Sequence, residues 1–89
     1  MRIEGDSMQP TLQEGDLVLV NTARHQPSPP GIFVLFDGMA LVAKRLELTS
    51  DGSQPRVRVR PDNPAYETYE RPLEAISIVG RVRWFGRAL

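Results

Sequence analysis

Apolar residues in this chain come in short runs or in strict alternation, and no segment keeps a helical period over three turns. That pattern predicts a mostly β protein. The run LVLV lies in a first strand from Asp16 to Asn21, entered through a turn at Gly15-Asp16. His25 to Gly31, HQPSPPG, holds three prolines in seven residues and reads as an exposed loop, because proline cannot donate to a strand ladder. Ile32 to Phe36 and Met39 to Leu48 flank Asp37-Gly38, a pair that accepts positive φ, so the spacing predicts a tight hairpin. A second turn, TSDGSQ, leads to Arg56 to Arg60. There Val57 and Val59 face one way and three arginines the other, the mark of a half-exposed strand. PDNPAYETYERP is bounded by prolines and reads as irregular. Ala75 to Phe85 returns to strand, with Gly80 as a bulge or a close approach of two backbones.

Alternation also assigns a face to one unusual charge. In LVAKRLEL, the residues Val42, Lys44, Leu46 and Leu48 share a side of the strand. Of eleven cationic residues ten are arginine, and Lys44 is the one lysine. Arginine does not lose its proton in a protein, whereas a desolvated lysine does. Burial among apolar groups disfavours the ammonium and lowers its pKa, which is the condition for a general base near neutral pH. The alternative is an ammonium that reaches the sheet edge while its stem covers apolar surface.

A second candidate sits in GDSMQPT. A serine hydroxyl becomes a useful nucleophile when a neighbouring base takes its proton, and a constrained turn with free N–H groups adds an oxyanion site. Around Ser7, Gly5 permits unusual backbone angles, Pro10 stops a long helix from closing, and Met8 is placed to anchor the turn in the core. The other reading is a helix-capping or ordinary turn serine. His25 is the single histidine and falls in the proline-rich loop, where an exposed side chain is expected. If Ser7 is activated, Lys44 is the base that remains.

Composition narrows the setting. Eighty-nine residues with 40% apolar content suffice for one domain with one modest core. A formal net charge of zero gives no reason to expect a polyanionic partner. There is no cysteine, and the single histidine and scattered carboxylates lack ligand spacing, so neither a metal nor another cofactor is expected. The apolar runs are too short to cross a bilayer and the start lacks a signal-peptide layout, so the expected setting is the cytoplasm, with no membrane partner.

Four pieces in this order resemble the LexA-like serine peptidases, the C-terminal domains of self-cleaving bacterial and phage repressors, which share a fold and a Ser-Lys dyad with signal peptidases. GDSMQPTLQEGDLVLV is similar to the family's nucleophile segment, with Ser7 in the nucleophile position. LVAKRLEL is similar to the general-base strand, with Lys44 followed by Arg45. PDNPAYE resembles an Asn-Pro-x-Tyr loop, and VGRVRWFGRAL resembles the terminal strand of phage-type repressors. The resemblance spans nearly all of residues 1–89 as one domain and implies a mostly β, partly barrel-like fold. It implies that neutral Lys44 deprotonates Ser7 and that the N–H groups of Asp6 and Ser7 hold the oxyanion.

The substrate implied is a peptide, the linker of a parent repressor cut at a small-residue-Gly bond, with RecA filament as activator. The resemblance further implies a homodimer through the C-terminal strand, and DNA contact only through an N-terminal domain that is not among these residues. No Ala-Gly or Cys-Gly pair occurs in the chain, so self-cleavage within it has no sequence support. Two other readings stay open. SMQPTL followed by GDLVLV fits a short signal-peptidase-like processing protease equally well, and a non-catalytic dimerisation module of the same fold would place no demand on the distance from Ser7 to Lys44.

Overall fold

A computed structural model describes residues 1–50 and 52–89. Six strands form one antiparallel sheet: β1 (Leu17–Asn21), β2 (Gly31–Phe36), β3 (Leu41–Ser50), β4 (Pro55–Arg60), β5 (Tyr69–Pro72) and β6 (Ser77–Gly86). Their order in space is β1-β6-β2-β3-β4-β5, so the sheet has β1 and β5 as edges. It is mostly β as expected, and curled without closing into a barrel. Among the described residues no helix is long and apolar enough to cross a membrane.

The run IFVLF is continuous rather than alternating because β2 is covered on both faces. Phe33 and Leu35 join Leu46, Val57 and Val59 in one buried cluster, with Tyr69, Leu73 and Ile76 packed against it. Val34 joins Ala43, Val18, Ile3, Met8 and Leu12 in a second. Residues before β1 therefore supply half of one core, and this places the Ser7 turn on the sheet. On β4 the expected division holds: Val57 and Val59 are buried, and Arg58 reaches Glu47 on β3 at 2.7 Å.

Several boundaries differ from the expectation for physical reasons. The β2–β3 ladder ends at Phe36 opposite Leu41, so the connection has four residues, 37 to 40, rather than two. The Asp37 carboxylate explains the wider turn, since it accepts the N–H groups of Met39 at 2.8 Å and Ala40 at 2.9 Å. Asp51, inside the TSDGSQ turn, lies outside the described residues. The supposedly irregular stretch after Pro61 contains β5, which pairs with β4 from Tyr69 opposite Val59 to Pro72 opposite Arg56. A proline is tolerated there because β5 is an edge strand.

At the C-terminus, Leu73–Ala75 form a 3-10 turn and strand begins only at Ser77. Gly80 is both things expected of it. The β2–β6 register shifts between Val34 and Leu35, beside Gly80, and a Cβ there would meet the Asn21 carbonyl oxygen at 2.5 Å. The last strand has no free edge, since β6 lies between β1 and β2. What it presents instead is a face: Leu19 pairs with Trp84, and both are exposed beside exposed Leu17.

Candidate active site

Residues 4 to 15 form a loop closed at its base, where the Ile3 N–H donates to the Asp16 carbonyl and the Gly15 N–H to the Ile3 carbonyl, each at 2.8 Å. Within it the Leu12 N–H donates to the Met8 carbonyl at 2.9 Å, one helical turn that puts both side chains on one face. Met8 is 2% exposed, so it is the anchor the sequence suggested. Gly5, with φ of 78°, lets the chain reverse just before Ser7, in a region that L side chains rarely adopt.

Lys44 enters from β3, opposite Phe33 in the β2–β3 register. Its Nζ donates to Ser7 Oγ at 2.7 Å. The ammonium is thus half-buried against the serine rather than extended to the sheet edge. Burial lowers its pKa below the ordinary 10.5, and the Asp37 carboxylate opposes the shift more weakly. Once Nζ is neutral it has a lone pair, and a contact of this length is within reach for proton transfer from a hydroxyl. A narrow cleft of about 30 Å³ opens beside the pair, lined by Ile3, Ser7, Met8, Val42, Ala43 and Lys44 among others.

A family model described as Peptidase S24-like matches residues 1–83. The chain belongs to this family. A search of curated proteins finds no match.

The S24-like domain holds its serine turn with residues that the sequence reading had placed only in a resembling loop. Asn63 donates its backbone N–H to the Ser7 carbonyl at 3.0 Å and its Nδ2 to the Asp6 carbonyl at 2.9 Å. Tyr66 donates its hydroxyl to the Asp6 carboxylate, which raises the Tyr66 pKa. One residue earlier, Asp62 ties the same loop to both other parts of the site. It accepts a bidentate pair from Arg45 at 2.9 and 2.8 Å and the Thr11 hydroxyl at 2.6 Å. The Arg45 hydrogen bonds hold the Asp62 carboxyl below its usual range. Arg45 follows Lys44 on β3, so the Lys44 strand and the Ser7 turn share one carboxylate.

A second missed residue is Asp16. Its carboxylate is 1% exposed, accepts Arg87 at 2.8 and 2.7 Å and the Gln13 N–H at 2.8 Å, and its pKa falls to about 2, chiefly through the Arg87 hydrogen bonds. An Asp following Gly in a turn and an Arg 71 residues later carry no sequence signal of pairing. The N–H groups of Asp6 and Ser7 make no hydrogen bond among the described residues, which leaves both as donors. His25 lies in its loop with its ring against the Thr22 carbonyl.

Proposed function

We propose that this S24-like domain is a serine endopeptidase with a Ser7-Lys44 dyad. The observation that carries the reading is the 2.7 Å contact between two side chains 37 residues apart, one of them a lysine with a lowered pKa. Neutral Lys44 Nζ takes the Ser7 proton as Oγ bonds to the peptide carbonyl carbon, and the Asp6 and Ser7 N–H groups receive the oxyanion. The Lys44 ammonium then protonates the departing amine as the C–N bond breaks. A water, deprotonated by the same Nζ, frees the acyl group and restores Ser7.

The cleft beside Ser7 and Lys44 is narrow, which favours a small residue before the scissile bond. That agrees with the small-residue-Gly linker of a repressor, the substrate the resemblance implies. A homodimer through the exposed Leu17, Leu19 and Trp84, activation by RecA filament, and DNA contact through a further domain belong to the same proposal. A module without catalysis would have no use for a half-buried lysine held against a serine.

The test is cleavage of a fluorogenic peptide with a central Ala-Gly bond by wild type, Ser7→Ala and Lys44→Arg. Arginine keeps the charge and cannot serve as a base, so both variants should be folded and inactive. Cleavage retained by Lys44→Arg would remove Lys44 from the mechanism.

A further inference from the structure

The dyad explains how Ser7 loses its proton, and leaves open what aims the backbone donor that must meet the oxyanion. An oxyanion donor works only when its direction is fixed before the reaction, since any reorientation during the step costs rate. The Ser7 turn sits on a surface loop, and its own contribution to that direction is one hydrogen bond, from the Gln9 N–H to the Asp6 carbonyl at 3.1 Å.

Asn63 makes two hydrogen bonds to this turn, and both go to carbonyl oxygens of consecutive residues, Asp6 and Ser7. The peptide bonds that follow those carbonyls, Asp6-Ser7 and Ser7-Met8, are trans, the cis bonds among the described residues being Gln9-Pro10 and Ser28-Pro29. In a planar trans peptide the C=O and N–H vectors point in opposite directions. Fixing the two carbonyls toward Asn63 therefore fixes the Ser7 and Met8 N–H groups away from it. Neither N–H makes a hydrogen bond among the described residues, and Ser7 and Met8 both line the cleft that holds Lys44 Nζ.

Asn63 is itself held. Its Oδ1 accepts the Ala65 N–H at 2.9 Å, its carbonyl accepts the Tyr66 N–H at 3.1 Å, and the adjoining Asp62 is clamped by Arg45 and Thr11. The Oδ1 bond leaves the amide nitrogen directed at the Asp6 carbonyl, so the side chain has one working orientation. Tyr66, from the same turn, holds the Asp6 carboxylate.

We infer that Asn63 is the positioning residue of the oxyanion site: it does not touch substrate, and it aims the Ser7 N–H at the carbonyl oxygen under attack. This rests on the peptidase reading above. Its distinctive consequence is that losing the side-chain amide weakens transition-state binding without weakening peptide binding.

The test is Asn63→Asp, which keeps the shape and the backbone N–H but removes the Nδ2 donor, with Asn63→Ala as a second variant. Removing an oxyanion donor outright costs about 10²- to 10³-fold in kcat, and misaiming one should cost less, about 10- to 100-fold. The expected result on the Ala-Gly peptide is that kcat falls by that factor with KM within about twofold, in both variants. Affinity for a peptide boronate, which forms a tetrahedral adduct on Ser7, should fall in parallel with kcat. The pH midpoint of kcat should stay in place in Asn63→Ala, which adds no charge, whereas the new carboxylate of Asn63→Asp by itself favours the Lys44 ammonium and raises the midpoint.

A merely structural role would instead raise KM in either variant, or move the midpoint in Asn63→Ala as the Ser7-Lys44 contact loosened, and either result overturns the inference. Unchanged kcat in Asn63→Asp with an active wild type overturns it while leaving the peptidase reading intact. A wild type that neither cleaves nor takes the boronate sinks both. If Asn63→Ala fails to fold, the Asp variant and its boronate affinity decide alone.

Discussion

Replacing Lys44 with methionine separates the stability cost of half-burying its ammonium from the chemistry proposed for it. Met keeps the length of the stem and removes the charge, so the volume of the stem is retained while the Ser7 contact is lost. Burial lowers the Lys44 pKa in the fold below its ordinary 10.5. Between the lowered folded value and the unfolded one, the unfolded chain binds more protons, so wild-type stability rises with pH across that window. For one group the slope has a ceiling of about 1.4 kcal/mol per pH unit. Half-burial and the opposing Asp37 carboxylate both keep the observed slope below it. With about 2.1 cal/mol/K of unfolding entropy per residue over 89 residues, the ceiling corresponds to about 7 °C in Tm per pH unit.

Lys44→Met should therefore be the more stable protein at neutral pH and lose that advantage steadily as pH rises toward 10.5. Groups common to both chains cancel in the difference. The assay is a pair of urea melts at each pH from 6 to 10, followed by Trp84 fluorescence. A difference that stays flat over this range would show that Lys44 is solvated, and the general-base assignment would lose its physical basis.

Two further outcomes follow from the packing around the site. Met8→Ala should cost about 2–5 kcal/mol in a urea melt, because Met8 is 2% exposed in the cluster with Leu12, Val18 and Val34; a loss under about 1 kcal/mol would show that the Ser7 turn is not anchored there. Arg87→Gln should shift acid unfolding to higher pH. The Asp16 pKa near 2 means that its stabilisation is present above the unfolded carboxylate value and lost as pH falls through the folded one, so an unmoved acid midpoint by circular dichroism would refute the pairing.

The sequence by itself determined the strand content, because period-two alternation and turn residues are local signals. LVLV, IFVLF and LVAKRLEL became β1, β2 and β3 within a few residues, and Val57 and Val59 faced inward as their spacing required. It also singled out Ser7 and Lys44, since a lone lysine on an apolar face and a serine between Gly5 and Pro10 are each locally odd. Other decisions belonged to the tertiary structure. Strand order put β6 between β1 and β2, so the C-terminal strand offers a face and not an edge, and no alternation pattern encodes that order. Edge placement turned Tyr69–Pro72 into a strand, since a proline that would break a central ladder breaks nothing at an edge. Asn63 on Asp6 and Ser7, Asp62 between Arg45 and Thr11, and Asp16 with Arg87 join residues 17 to 71 positions apart. Polar side chains of this kind carry no period. Only the fold brings them together.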